Sequence, residues 1–227
     1  MHHFISYKLP SKKRVLIMTA VTAERDAVLR GLNSNSRFDV LVAGVGSVIA
    51  AVNTARVLAT EEYGLVISAG IGGAFSGKAE VGSLVVASEI VVADLGAQTP
   101  EGFRSVDELG FGSACTQLQI DVNLVGFVTR ALLAAGLPVC TGPVLTVSTV
   151  TGTAERSLEL ADRIQGATAE AMEGYGVGCA ALDRGIAILE IRAISNMVGP
   201  RDRSTWRVKE ALDVLEAASA VLTEVLP

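Results

Sequence analysis

Residues 65–75 read LVISAGIGGAF, an apolar, partly β-branched run that ends among small residues and glycines. A short continuous apolar run closed by a turn signal is the pattern of a strand buried on both faces, as in a parallel sheet under helices. The same scheme precedes it. RVLIMTA (14–20) is a first buried strand, followed by a helix over ERDAVLRGL (24–32) that stops near Asn33. FDVLVAGVG (38–46) is a second strand entering a glycine turn, and SVIAAVNTARVLAT (47–60) is an Ala-rich helix. Downstream, GSLVVASEIVVADLG (82–96) is long and β-branched, a strand that bends or bridges two sheets. The polar, Gly-rich stretch 97–114 reads as a long loop. VNLVGFVTRALLAAG (122–136) is a helix closed by Gly136, and VCTGPVLTVSTV (139–150) is strand-like with a break at Gly142-Pro143. A helix over 173–185, a strand over 185–195 and a long amphipathic helix over 205–226 complete the chain. This alternation predicts one α/β domain over 14–227, with a central mixed, largely parallel β-sheet flanked by helices and an N-terminal extension over 1–13.

Composition sets the limits on function. Half of the 227 residues are hydrophobic, 23 are Gly and only 4% are aromatic, which suits buried strands under closely packed helices. A net charge of −5 provides no attraction to a polyanion, so nucleic acid and membrane surfaces are not expected partners. No apolar run reaches the roughly 18 residues of a membrane span. The start, MHHFISYKLPSKKR, places its basic cluster after the apolar patch, the wrong order for a secretory signal. Cys115, Cys140 and Cys179 form no CxxC pair, and both histidines lie at the N-terminus, so no structural zinc is expected. Free thiols in a reducing cytoplasm are the expectation.

Two glycine turns invite a dinucleotide reading and fail it. Gly44-Val45-Gly46 leads to Ile49, and Gly70-Ile71-Gly72 to Phe75, where the fingerprint needs a third glycine. Neither is followed by an acidic residue at a strand end about 20 residues on. Tight turns at which backbone approaches a ligand or a helix are the better reading. Glu24, just after the first strand, is either a helix-start carboxylate favoured by the dipole or a functional one. In TAEAMEGYGVGCAAL (168–182), Glu170 and Glu173 bracket Met172 before a run of small residues. A carboxylate at such a strand-to-helix junction is placed to grip vicinal hydroxyls. AISNMVGPRDRSTW (193–206) gathers an amide, a Gly-Pro break, Arg201-Asp202-Arg203 and the single tryptophan at one strand end. Arg201 and Arg203 either shape a loop over a ligand or form a surface ion-pair cluster with Asp202. Trp206 reads as a packing anchor for the last helix rather than a stacking platform.

In order and spacing, VLIMTAVTAE, AGVGSVIAAVNTARVL, SAGIGGAF, VGSLVVASE, AMEGYGVGCAAL and IRAISNMVG resemble the nucleoside phosphorylase and nucleosidase family over nearly the whole chain. SNMVGPRDRSTW and DLGAQTPEGF resemble one hydrolytic branch of it, whose nucleoside carries an aryl carboxylate beyond the 5′ carbon and whose reaction serves menaquinone biosynthesis. The resemblance implies a nucleoside phosphorylase-like fold, a small-molecule nucleoside as partner, neither cofactor nor metal, and a homodimer or larger homo-oligomer. It implies that Glu24 orients and deprotonates water, and that Ile71, Gly72 and Gly73 contact the nucleoside. Met172 and Glu173 lie under the ribose, Glu173 taking its 2′- and 3′-hydroxyls, and residues 150–152 lie near the base.

Asn196 falls where adenine-specific nucleosidases carry an aspartate. An amide is no general acid, but its NH2 donates to O6 while its oxygen accepts from a protonated N7, so Asn196 points to a 6-oxopurine. Asp202 is the nearby candidate proton donor. A guanidinium binds a carboxylate through two parallel bonds, so Arg104, Arg201 and Arg203 are candidate anchors for the distal carboxylate, Arg104 ahead because its loop can reach outward. The expected activity is hydrolysis of the N-glycosidic bond. The alternatives are a phosphorylase or an adenosine-type nucleosidase of the same fold, or a nucleoside sensor without turnover. A phosphorylase needs a cationic pocket, for which Arg25 and Arg104 are the candidates.

Overall fold

The computed structural model describes residues 14–111 and 115–226, so the expected extension over 1–13 lies outside the described residues. Strand β1 (Arg14–Thr19) is buried after its first residue because VLIMT carries no charge. It runs parallel to β2 (Phe38–Val42) on one side and β3 (Tyr63–Ala74) on the other. β3 pairs in parallel with β10 (Ala187–Met197), which also pairs antiparallel with β4 (Leu84–Val92). β4 continues in parallel to β8 (Val139–Thr146), β8 to the short β9 (Ala169–Ala171), and β9 returns antiparallel to β3. These five strands therefore close on themselves, while β1 and β2 extend from β3 as an open wing. β7 (Gln117–Gln119) adds an antiparallel edge to β4. The sheet is mixed, with parallel pairings in the majority.

The described helices are α1 (Thr22–Leu32), α2 (Ser47–Leu58), α3 (Val122–Ala134), α4 (Ala154–Arg163), α5 (Gly174–Asp183) and α6 (Val208–Val225). α6 buries Ala211, Leu215, Ala218, Ser219 and Leu222, one stripe at helical spacing, and lies against α1 and β10. α2 packs on α5, where Gly176 lets the backbone of Ser47 approach; a Cβ there would meet the Ser47 carbonyl oxygen at 1.9 Å. The small residues of both helices serve this contact.

The structure corrects several expectations. The stretch 97–114 is not one loop: β5 (Gly96–Thr99) and β6 (Gly102–Ser105) form an antiparallel hairpin, turning at Gly102 with φ 120. Gly142-Pro143 does not break β8. The register with β4 passes from Ala87↔Gly142 to Ile90↔Val144, so Pro143, which has no N–H to give, falls where the ladder skips a residue. The glycines 70, 72 and 73 lie within β3 rather than after it. α4 is not expected from the sequence: it is short and rich in charge, and Leu160 is its one buried residue while Leu158 is exposed. The last helix begins three residues later than expected, after a 3-10 turn at Arg203–Thr205.

Gly31 fixes how α1 meets α6: a Cβ there would lie 2.1 Å from the Glu216 carbonyl oxygen and 2.8 Å from the Ser219 Cβ. Gly31→Ala gains up to about 1 kcal/mol in helix propensity but must displace packed backbone, at a cost of about 1–3 kcal/mol. The expected result is a net loss of stability, read as a lower midpoint in urea unfolding with an unchanged slope. A midpoint at or above the parent's contradicts this packing.

Candidate active site

A cavity of about 230 Å³ opens at the carboxyl ends of β1, β3 and β10, where ligands bind in open α/β sheets. Its floor comes from Ala20 beyond β1, Ile71 to Gly73 of β3, and Ser195 to Met197 of β10. Glu24 and Glu173 enter from the first turn of α1 and the residue before α5.

Glu24 is buried, and its carboxylate accepts three backbone bonds. Oε2 accepts from Ala20 N (2.8 Å) and Val21 N (3.2 Å), and Oε1 from Ile71 N (2.9 Å). One side chain thus caps α1 and ties it to β3. Burial pushes the Glu24 carboxyl up from its ordinary range, against the pull of Arg192 and these N–H groups. Gly70 makes the approach possible: a Cβ there would meet Glu24 Oε1 at 2.6 Å and Arg192 Nη1 at 2.9 Å.

Glu173 is equally enclosed. Its Oε1 accepts from Gly46 N (3.2 Å), its Oε2 from Met172 N (3.3 Å), and the Arg192 guanidinium stands 3.3 Å from Oε2. This explains the Gly44-Val45-Gly46 turn. Both glycines adopt positive φ, 89 and 97, and the turn delivers the Gly46 N–H to the carboxylate.

Behind both acids lies Arg192, 1% exposed, on β10. Its Nε donates to Glu190 Oε1 (2.8 Å) and its Nη2 to the Ser68 hydroxyl (3.0 Å). Burial alone would lower the Arg192 pKa, but Glu190, Glu173 and Glu24 together raise it, so the guanidinium is firmly charged. Glu190 is fully buried, and its Oε2 has no hydrogen-bond partner. Burial raises its pKa against the attraction of Arg192. Sequence reading missed this centre, although the signal was present: Glu190 and Arg192, two apart in an apolar strand, share one face, and buried charges of that kind come in pairs.

At the other end, β10 carries a bulge between Ile194 and Asn196 that turns Asn196 toward Gly73. The Asn196 amide is fixed by its neighbours: Oδ1 accepts from the Ser195 hydroxyl (2.8 Å) and Nδ2 donates to the Met197 carbonyl (3.0 Å). Each group keeps one further bonding site. Val150, Thr151, Glu170, Val198, Arg201 and Trp206 line this end. Trp206 therefore faces the cavity, with Arg201 over its ring at 5.3 Å, rather than only anchoring α6.

Ile71, Gly72, Gly73 and Met172 also line the cavity, as does Arg201. Asp202, Arg104, Arg203 and Arg25 do not. Asp202 is exposed and caps the 3-10 turn, its Oδ1 accepting from Ser204 N (3.0 Å) and the Ser204 hydroxyl (2.6 Å). Those bonds hold its pKa below the ordinary value, the wrong direction for a proton donor. Arg104 is exposed on β6, outside the cavity lining, because β5 and β6 fold on each other as a hairpin. Arg25 pairs with its neighbour Asp26 and likewise lines no part of the cavity.

The profile of the phosphorylase superfamily matches residues 15–226. The chain is 47% identical to a futalosine hydrolase of Streptomyces coelicolor, over 93% of this chain and 96% of that protein. It is also 47% identical to a futalosine hydrolase of Acidothermus cellulolyticus, over 91% and 89%. In structure it resembles a futalosine hydrolase of Helicobacter pylori with a TM-score of 0.79, covering 93% of this chain and 98% of that one; at 17% identity this likeness bears on the fold.

Removing the central cation exposes what it balances. Arg192→Met leaves buried carboxylates without a counter-charge, at an expected cost of about 3–5 kcal/mol. In the variant the folded-state carboxyl pKa values lie above the unfolded ones, so the folded form binds more protons and stability falls as pH rises through that range. The deficit relative to the parent, read by urea unfolding, should be larger at neutral pH than near the ordinary carboxyl pKa. A deficit independent of pH contradicts the charge balance.

Proposed function

The chain belongs to the phosphorylase superfamily, and we propose that it hydrolyses the N-glycosidic bond of futalosine, releasing hypoxanthine and dehypoxanthinyl futalosine. The reading rests on the relatives' names and on one arrangement: Glu24 and Glu173, both buried, facing one cavity with Arg192 behind them. Glu173 accepts from the ribose 2′- and 3′-hydroxyls and stabilises the positive charge that grows at C1′ as the bond to N9 stretches. Water attacks C1′, and Glu24, a stronger base for being buried, takes its proton. Arg192 pairs with Glu173 and its charge reaches Glu24, while backbone N–H groups hold Glu24 in place. At the base, the free Nδ2–H of Asn196 donates to O6, and Oδ1 accepts from N7–H once the departing base has taken a proton from solvent. The 6-oxo group spreads the leaving electron pair, which reduces the demand for a strong acid and leaves Asp202 on its turn.

A phosphorylase would seat phosphate where water attacks. Glu24 stands there with its charge, and Arg25 and Arg104 are elsewhere, so hydrolysis is favoured. The reaction fits menaquinone biosynthesis in the cytoplasm, as the branch resemblance implies.

The active unit in this reading is a homodimer or larger homo-oligomer. Val45, Val48, Ile49 and Val52 form an exposed apolar stripe at helical spacing along the start of α2, with Val48 81% exposed. Val45 also lines the cavity, so a second copy seated on this stripe would border the site.

Glu24→Gln and Glu173→Gln should each lower kcat/KM by roughly 10²-fold or more. The acid limb of the parent's pH profile should sit above the ordinary glutamate pKa, because activity needs ionised Glu24 and burial raises its pKa; the limb should vanish in Glu24→Gln. A limb that survives the substitution assigns the base elsewhere. Asn196→Asp should weaken 6-oxopurine substrates relative to 6-amino ones by about 1–3 kcal/mol, since a carboxylate offers O6 no donor. Val48→Glu should shift light scattering at micromolar concentration from dimer to monomer; a parent that is itself monomeric and active rejects the assembly.

A further inference from the structure

Glu170 is left unused by this mechanism. It lines the base end of the cavity, is 5% exposed, and its carboxylate is fixed at both oxygens. Oε1 accepts from Thr151 N (2.8 Å) and Oε2 from the Thr151 hydroxyl (2.5 Å). A carboxylate oxygen can accept two bonds, so each keeps a lone pair.

The sheet register places this residue with respect to Asn196. Asn196 pairs with Gly73 across β10 and β3, and Gly73 pairs with Glu170 across β3 and β9. Directly opposite residues on neighbouring strands project to the same face, so Asn196 and Glu170 flank Gly73, two strand spacings or roughly 10 Å apart in backbone. Gly73 contributes no side chain between them, and Val198, whose Cγ2 would lie 3.0 Å from a Cβ there, completes an apolar floor. A planar base lying on that floor meets an amide on one side and an acceptor-only carboxylate on the other. The backbone N–H of Thr151, which would otherwise be a donor on the second side, is already spent on Glu170.

We propose that Glu170 is a specificity-determining residue that accepts the N1–H of a 6-oxopurine, on the side of the base opposite Asn196; this rests on the reading of the cavity as a purine nucleoside site. The chemistry selects one class of base. In the lactam form of a 6-oxopurine N1 carries a hydrogen, which an ionised carboxylate accepts. In a 6-aminopurine N1 is a lone pair and would face another lone pair. Asn196 reads O6 and N7, Glu170 reads N1, and the two act on different edges of the same ring.

Trp206, the chain's single tryptophan, lines the cavity and reports binding by its fluorescence. Hypoxanthine, 1-methylhypoxanthine and adenine are titrated into the full-length protein, Glu170→Ala and Glu170→Gln, alongside hydrolysis assays with futalosine. The parent should bind hypoxanthine about tenfold or more tighter than 1-methylhypoxanthine, the scale of one hydrogen bond to a charged group. Glu170→Ala should bring those two within about threefold of each other. Glu170→Gln keeps the bond from Thr151 N at its oxygen and turns an NH2 toward N1, so it should move the adenine-to-hypoxanthine ratio about tenfold or more toward adenine. A residue that only fastens the Thr151 loop would weaken all three bases together. If Glu170→Ala does not fold, the near-isosteric Glu170→Gln carries the test through that ratio. Unchanged ratios in the folded variants, or a parent that binds 1-methylhypoxanthine as well as hypoxanthine, overturn the proposal. Ratios that shift as expected without any futalosine turnover overturn the hydrolase reading and leave the role of Glu170 standing.

Discussion

Everything at the ribose end depends on one buried guanidinium. Taking an arginine and its acids out of water costs several kcal/mol per ion, and only close pairing offsets that. Arg192 achieves the pairing by touching Glu173, Glu190 and Ser68, with its charge felt at Glu24. Those partners belong to α1, α5, β3 and β10, so one cation fixes the relative position of four elements. Glycine makes the crowding possible. A Cβ at Gly70 would lie 2.6 Å from Glu24 Oε1 and 2.9 Å from Arg192 Nη1, and one at Gly174 would lie 2.2 Å from Glu190 Oε2. The glycines that look like turn signals in the sequence are largely room for charge.

The same centre gives the two nearby acids different surroundings, which suit the different tasks proposed for them. Glu24 is held by three backbone N–H groups yet shifted upward by burial, a combination that keeps it placed while leaving it basic. Glu173 has the direct contact with Arg192 and two backbone donors, a placement that suits the ribose contact proposed for it. Glu190 is sealed off with one oxygen unbonded, its pKa raised by burial against the pull of Arg192. The base end is built differently, from a bulge, a glycine floor and polar groups on three neighbouring strands.

Much of this was legible in the sequence. The apolar runs at 14–20, 38–46 and 65–75 locate three of the strands that carry the site, because burial on both faces leaves an unbroken apolar pattern. Glu24, Glu173 and Asn196 are visible as polar residues near strand ends, with Met172 beside Glu173, and the cavity brings all four together. What could not be read is pairing. The closure of β3, β10, β4, β8 and β9 depends on long-range register, and the hairpin at β5 and β6 hides in a polar stretch. Asp202 and Arg104 look chemically apt, but local bonding decides where they go: one caps a 3-10 turn, the other sits on a folded hairpin. Arg192 and Glu190 were overlooked because their strand reads as apolar overall, although two charges on one buried face are a signal of their own.

The account stands on water, not phosphate, attacking a futalosine held over Glu173. The direct measurement is mass-spectrometric identification of the products from futalosine and the purified full chain, with and without inorganic phosphate. It predicts hypoxanthine and the free dehypoxanthinyl sugar, formed at the same rate in either buffer. Base release that requires phosphate and yields a sugar 1-phosphate would contradict it.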